Sequence, residues 1–237
     1  MLLSNQGNSL TLRQTAPEDA PILLRAYQDE SFAHLYRSND NPLTEEQLAN
    51  LLTEYREHDP AEFGYLEFML EHKQHGSIGI ASLGDYSPIH KRAEYLIGIF
   101  AEKHRSLGYG TEATLLVLDL AFNAYHLNKI YTYVYDYNEF SRTNTLKFGF
   151  KQEGKLEEHH YLVHEQRFVD LYVNGLTEKH FRNSAKIRRY SLRLVGRDIT
   201  QPYSEIKLSL QDQLPIEVSE KFLAVKKAVM YNKACST

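Results

Sequence analysis

The sequence predicts a mixed α/β domain, and three observations carry that expectation. Short runs of alternating apolar and polar residues, the pattern of half-buried strands, recur through the first 176 positions. Helix-period segments with N-terminal capping signals interrupt them. The order is strand, helices, several strands, helix, strand, helix, strands, which lacks the regular alternation of a doubly wound sheet. A chain of 237 residues is long enough for one substantial core with a smaller appendage.

Ser9–Gln14 alternates as a strand should. Thr15-Ala-Pro-Glu18 reads as a capping box with proline in the first turn, opening a helix to about Tyr27. A second box, Thr44-Glu-Glu-Gln47, opens a helix to about Glu57, closed by His58-Asp59-Pro60. Strands are expected at Phe63–Glu71 and Ser77–Leu83, joined by a turn at His75-Gly76, and then at Ala93–Phe100. Tyr109–Tyr125 is a long helix with apolar residues on two faces, so it should be buried in the middle of the domain, and Asn128 suits a left-handed cap after it. Lys129–Asp136 reads as a strand and Ser141–Phe148 as a short helix with Ser141 as its N-cap. Phe150–Glu157 and Phe168–Leu176 are strands, the latter able to pair with Tyr161–Val163.

The character changes after about Arg182. Lys186–Arg193 is basic, and Pro215–Tyr231 has the periodicity of an amphipathic helix. The division expected is a domain over 1–182 and an extension over 183–237, a strand plus the amphipathic helix. About fifty residues seldom form a core alone.

Composition narrows the function classes. The chain is 42% hydrophobic and 24% charged, with 27 basic against 31 acidic residues. A net charge of −4 argues against a broad nucleic-acid surface. The apolar runs are too short to cross a bilayer, and Met1-Leu-Leu-Ser4 has neither the basic flank nor the apolar stretch of a signal peptide. Cys235 is the single cysteine, which excludes an internal disulfide framework and fits a reducing, cytoplasmic setting.

The informative stretch runs from Ile97 to Ala113, a strand entering a loop with Arg105-x-x-Gly108-x-Gly110 spacing and then a helix. The first N–H groups of a helix have no intrahelical acceptor and sit at the positive end of its dipole. Glycines let the backbone approach an anion, and Arg105 adds a charge-assisted contact, so a pyrophosphate is the natural ligand. Gly-x-Gly before a helix is a weak signal alone, since a tight turn into a packed helix gives the same letters. No Gly-Lys-Ser/Thr follows, which excludes a Walker loop. The dinucleotide fingerprint fails at its third glycine, where Ala113 stands, and the segment sits mid-chain after several strands.

Arg105-x-x-Gly108-x-Gly110 resembles motif A of the GNAT acetyltransferases. Gly108-Tyr-Gly-Thr-Glu-Ala113, Asn138-Glu-Phe-Ser141, Lys147-Phe-Gly-Phe150 and Glu153-Gly154 are similar to the signatures of that superfamily's RimJ/RimL-like branch. Gly76-Ser-Ile-Gly79 and the Leu10-x-Leu-Arg13 opening match in order and spacing, so the resemblance covers about residues 9–176.

The resemblance implies a central, mostly antiparallel sheet that splays beside motif A, flanked by helices. It implies acetyl-CoA as cosubstrate, with pantetheine held by the backbone of Ile99 and Phe100 and pyrophosphate cradled by Arg105, Ser106, Leu107, Gly108, Tyr109, Gly110 and Thr111. An N–H near Ile99 would polarise the thioester carbonyl. Asn138 matches a CoA-contacting asparagine, although a turn asparagine reads the same. Ser141 matches a serine at the CoA sulfur, and Thr145 stands where many relatives carry a tyrosine acid. The activity implied is direct acetyl transfer to a primary amine, either a protein N-terminus or a small molecule. A non-catalytic acyl-CoA-binding module is the alternative. The partners expected are acetyl-CoA and the amine acceptor, with a homodimer allowed and neither membrane nor nucleic acid involved.

The acceptor must be neutral to attack. At pH 7 an amine of pKa near 10.4 costs about 4–5 kcal/mol to deprotonate, and an α-amine near 7.8 about 1. A lysine-like or polyamine acceptor therefore needs a general base. Glu94, on the strand leading to motif A, is the candidate, with Asp29 and Glu30 as charges that could attract a cation; a solvated surface carboxylate is the plain alternative for each. Tyr131, Tyr133, Tyr135 and Tyr137 alternate along one strand and read as packing. His159, His160 and His164 have no companions at metal spacing, so no metal is expected.

Overall fold

The structure is a computed structural model that describes residues 4–36, 43–163 and 165–202. Helix capping follows local chemistry. Thr44 Oγ1 accepts the Gln47 N–H (3.2 Å) and Gln47 Oε1 accepts the Thr44 N–H (2.9 Å), the reciprocal box the sequence predicts. The first box forms differently. Thr15 Oγ1 turns to the Glu67 carbonyl (3.4 Å), and Asp19 reaches back to the Ala16 N–H (2.8 Å). Arg13 holds that turn with a two-pronged contact to Asp19 (2.7 and 2.8 Å) and a third bond to Glu71 (2.7 Å).

Along the chain, β1 (Ser4–Gln6) and β2 (Leu10–Gln14) precede α1 (Ala20–Gln28), α2 (Glu30–Ala33), α3 (Glu45–Glu57) and the single turn α4 (Pro60–Phe63). Strands β3 (Leu66–His72), β4 (Gly76–Ser87) and β5 (Arg92–Ile99) follow, then α5 (Glu102–Arg105) and α6 (Tyr109–Asp119), which continues as a wider π turn over Leu120–Ala124. The remainder is β6 (Lys129–Tyr135), α7 (Glu139–Phe148), β7 (Lys151–Leu162), β8 (Arg167–Thr177), α8 (Glu178–Arg182) and α9 (Ala185–Leu194). Phe63, expected in a strand, falls in α4 because Asp59 caps that turn, accepting the Ala61 N–H (2.9 Å). The left-handed residue after the long helix is His126 (φ 52°), while Asn128 instead donates its N–H to the Lys91 carbonyl (2.6 Å).

The strands described form one sheet in the order β1-β2-β3-β4-β5-β6-β8-β7, antiparallel except where β5 meets β6. This is the mixed, mostly antiparallel sheet expected from the sequence. Helix α6 is buried from Glu112 to Asp119. Glu112 Oε1 accepts the Ser9 and Leu10 N–H groups (2.7 and 3.0 Å), fixing the β1–β2 turn to the helix. On the opposite sheet face, α1, α2 and α3 gather Leu23, Phe32, Leu48 and Leu52 over Met69 and Ile80.

Ser4–Ile206 make up one compact unit. The basic run expected to begin an appendage is a helix, not a strand: α9 buries Ile187 and Ser191, and its end accepts from Asn8 (N to Leu194 O, 2.9 Å). Arg197 pairs with buried Asp119 (2.6 Å), and Asn123 donates to the Ile199 carbonyl (2.9 Å). Residues 183–202 are thus bonded into the same core. The expected helix over 215–231, His164 and Cys235 lie outside the described residues.

Candidate active site

The pairing of β5 and β6 lasts three rungs, Arg92 with Lys129, Ala93 with Ile130 and Glu94 with Tyr131. Beyond them the strands part. The Phe100 N–H donates to the Ile78 carbonyl (2.9 Å) across β4. In an antiparallel ladder the hydrogen-bonding direction alternates residue by residue. With Gly79 opposite Ile99 and Ala81 opposite Ile97, the N–H and C=O of Ile97 and Ile99 therefore point away from β4, into the gap. Ile99 meets the expectation of a gap-facing backbone. Phe100 does not: its N–H is spent on Ile78, and its carbonyl accepts from Arg105 (2.9 Å). Ile97 rather than Phe100 shares the gap-facing direction with Ile99, because register decides which alternate residues face a gap and the sequence leaves register open.

A cavity of about 430 Å³ fills the fork, lined by Ile97, Ile99 and Tyr95 on one side and by Thr132 to Tyr135 on the other. Arg105, Ser106, Gly108, Gly110 and Thr111 border it, whereas Leu107 and Tyr109 border a smaller groove beside Arg193. Gly108 is the N-cap of α6 at φ 84°, ψ 0°, a left-handed conformation that a β-branched residue resists. Thr111 and Glu112 donate back to the Gly108 carbonyl (3.0 and 3.3 Å), so Tyr109 and Gly110 present N–H groups that precede the first helical bond. The Arg105 guanidinium bonds the Ile99 and Phe100 carbonyls (3.1 and 2.9 Å) and Ser31 Oγ (3.2 Å). It braces the end of β5 and uses only part of its five-donor fork doing so. Left-handed Gly108, open amides and a cation on a cavity wall together suit a diphosphate.

Helix α7 forms the other wall, with Asn138, Ser141, Asn144 and Thr145 on the cavity. Its N-cap is Asn138, whose Oδ1 accepts the Ser141 N–H (3.0 Å), so the capping role expected of Ser141 belongs to Asn138. The Asn138 amide nitrogen and the Ser141 hydroxyl remain for a ligand. Thr145 faces the same cavity, and Tyr133 and Tyr135 reach its rim from β6. Tyr135 and Tyr137 stack (5.0 Å), and Tyr131 meets Tyr133 edge to face (5.7 Å), the packing expected of this strand.

The opposite sheet face carries the carboxylates. Ser82 lies opposite Glu67 on β3 and Leu96 on β5, and Gly84 lies opposite Glu94. Directly paired residues share a face, so Glu67, Ser82 and Glu94 all project beneath the α1–α3 layer. Glu94 stands on the last rung before the fork and does not line the cavity. Asp29 caps α2 through the Ser31 N–H (2.9 Å), which with the Ser31 contact holds its carboxyl below the usual range, and Glu30 is exposed in that helix. Glu67 is buried and accepts from the hydroxyls of Tyr65 (2.8 Å) and Tyr27 (3.4 Å). Burial pushes its carboxyl up to about 7, partly offset by those hydrogen bonds. Sequence reasoning passed over Glu67, Tyr36, Tyr65 and Ser82 because no local spacing links residues from three separate segments. The one available signal was a charged residue between the apolar Leu66 and Phe68 of the strand.

Among the described residues, no group of three or more histidine, cysteine or acidic side chains could hold a metal ion, and no helix is long and apolar enough to cross a membrane.

Comparison with known proteins agrees with this geometry. Residues 9–151 match the model of the acetyltransferase (GNAT) domain family. The uncharacterized N-acetyltransferase YoaA of Bacillus subtilis (strain 168) is 28% identical over 159 residues, spanning 66% of this chain and 87% of that protein. The spermidine N(1)-acetyltransferase of Vibrio cholerae serotype O1 is 32% identical over 105 residues, 44% of this chain and 58% of that one. A solved chimera of Vibrio cholerae spermidine N-acetyltransferase SpeG and hSSAT superposes with a TM-score of 0.66 at 25% identity, covering 75% of this chain and all (100%) of the other. The mostly antiparallel sheet, its fork beside a glycine-capped helix and the family match agree, and the chain belongs to the GNAT acetyltransferase family as an acetyl-CoA-dependent N-acetyltransferase.

Proposed function

We propose that the acceptor is a small cationic primary amine of the polyamine class, acetylated by direct attack in a ternary complex. The observation that carries this reading is the pair of carboxylates, Glu67 and Glu94, on the sheet face behind the fork. A cation is favoured where acidic groups and aromatic rings converge, and Tyr27, Tyr36 and Phe32 cover this face. The local identity to a spermidine N(1)-acetyltransferase supports the same class.

Bound acetyl-CoA supplies an activated thioester. In this reading the N–H groups of Ile97 and Ile99 hold the pantetheine, and the one nearest the thioester carbonyl donates to the charge that develops there. The α6 N-terminus from Gly108 to Thr111 orients the diphosphate, with Asn138 as a further polar contact. Ser141, with Thr145 one turn on, is positioned to return a proton to the sulfur from the cavity wall. Glu94 contributes negative potential at the base of the fork.

The RimJ/RimL-like motifs from Asn138 to Gly154 favour a second reading, a protein N-terminus as acceptor. Thiol release from acetyl-CoA over an amine panel separates the two. Spermidine and related diamines should exceed tripeptides with free α-amines by at least about tenfold in kcat/KM. The reverse order would assign the enzyme to protein N-termini.

A further inference from the structure

Glu67 is a buried carboxylate to which the steps described above assign no proton transfer, and a line of hydroxyls leads from it to the cavity. Tyr36 lines the cavity. Its hydroxyl lies 3.4 Å from Ser82 Oγ, Ser82 stands directly opposite Glu67 on the paired strand and beside Tyr65, and the Tyr65 hydroxyl donates to Glu67 Oε2 at 2.8 Å. We propose that this line, Tyr36–Ser82–Tyr65–Glu67, is a proton relay that takes the proton from the acceptor ammonium before attack. The inference rests on an acceptor that arrives protonated, as the proposed function requires.

Each hydroxyl in the line can accept one proton and pass on its own, so the charge moves without any group moving far. The balance is simple. The ammonium and the Glu67 carboxylate become a neutral amine and a Glu67 carboxylic acid. The amine then forms the C–N bond as the C–S bond breaks, and its remaining excess proton goes to the thiolate. Glu67 finally returns its proton to solvent, so each turnover releases one proton with one amide and one free thiol.

The groups around Glu67 suit this task. Tyr65 immediately precedes its own strand, Tyr27 lies on α1, Tyr36 in the turn after α2, Tyr55 on α3 and Asp19 at the turn before α1. Tyr27, Tyr55 and Tyr65 are neutral in the working range, since burial raises their hydroxyls above the ordinary value. Arg13, on the neighbouring strand, spends its guanidinium on Asp19 and Glu71. A carboxyl that desolvation lifts to about 7 is ionised enough to accept a proton at neutral pH and basic enough to hold it. A buried carboxylate kept only for structure would need neither this value nor a hydroxyl path to a cavity.

The test compares pH profiles of kcat/KM for wild type, Glu67→Gln, Tyr36→Phe and Ser82→Ala, using whichever amine the wild type turns over best. With the relay, wild-type kcat/KM rises through a midpoint near pH 7 to a plateau above it. Glu67→Gln should lose about 100-fold at pH 7 and climb with unit slope toward the pKa of the amine, where the loss disappears. Tyr36→Phe and Ser82→Ala keep the Glu67 carboxylate in place and should shift the profile the same way, with about tenfold loss at pH 7. Coenzyme A affinity and circular dichroism should match wild type in all three. An unchanged acidic limb in the two hydroxyl variants, or a uniform loss at every pH in Glu67→Gln, overturns the relay. The amine panel on wild type alone judges the acceptor reading, because its outcome does not depend on the variants.

Discussion

The two faces of the fork are built from different materials. On the α6 face the ligand meets main chain: Ile97 and Ile99 on β5 and the amides after Gly108, all within fourteen consecutive residues from Ile97 to Gly110. On the α1–α3 face it meets side chains brought from α1, α2, β3 and β4. A main-chain site serves a constant ligand and is written in local spacing. The side-chain half, proposed for the variable acceptor, is written in tertiary contacts, so one half of the fork is legible in the sequence and the other half is not.

Glycine 108 offers the sharpest way to break that contrast. Gly108→Val places a β-branched residue at φ 84° on the diphosphate side, and coenzyme A affinity measured by calorimetry should fall by at least about 100-fold, about 3 kcal/mol, with the fold retained. Glu67→Gln, on the other face, should leave that affinity within about twofold. Equal losses in the two variants would dissolve the distinction between the faces.

Glu67 also sets a stability signature. Its carboxyl rises from 4.5 in a free chain to about 7 in the fold, so its contribution is fully present below pH 4.5 and is lost as pH rises through about 7. Chemical denaturation should show Glu67→Gln gaining on wild type across that window by roughly 3 kcal/mol, and a constant difference between the two would contradict the burial of an ionisable group.

Gly98 links the faces. It lies in the strand that forms the fork, and a Cβ there would collide with the Phe32 ring and press on Tyr36. Gly98→Ala should cost about 1–3 kcal/mol of stability and raise KM for the amine more than for acetyl-CoA. The reverse ordering of the KM effects would detach α2 from acceptor binding.

The wall formed by α7 gives the smallest effects. Asn138→Ala removes a cap and should cost about 1 kcal/mol in thermal unfolding, whereas Ser141→Ala should be near neutral in stability while slowing turnover. A stability loss in Ser141→Ala with none in Asn138→Ala would return the capping role to the serine.

How much could be read in advance follows the same division. Many strands and helices are legible because their patterns are local: the Thr44 box forms as written, and the Arg105-x-x-Gly108-x-Gly110 loop leads into a helix starting at Tyr109 as expected. The Thr15 box failed because Asp19, held by Arg13 from β2, captured the Ala16 N–H first. Ile97 faces the gap and Phe100 does not because one residue of register decides which amides point there, and no composition records it. The packing of the segment around α9 is not legible in advance, because its pattern is short and the bonds of the residues after it, Arg197 to Asp119 and Ile199 to Asn123, span more than seventy residues. Glu67 went unseen for the same reason, since Tyr27, Tyr65 and Ser82 become its neighbours only in the folded chain.

A crystal structure with coenzyme A and spermidine bound tests the account most directly. The expected result is the sulfur between Ile97–Ile99 and Thr132–Tyr135, the diphosphate on the amides of Tyr109 and Gly110 after Gly108, and the reacting nitrogen within reach of the Tyr36 hydroxyl on the α1–α3 side. An amine seated on the α6 side of the sheet, or coenzyme A seated away from the fork, would contradict it.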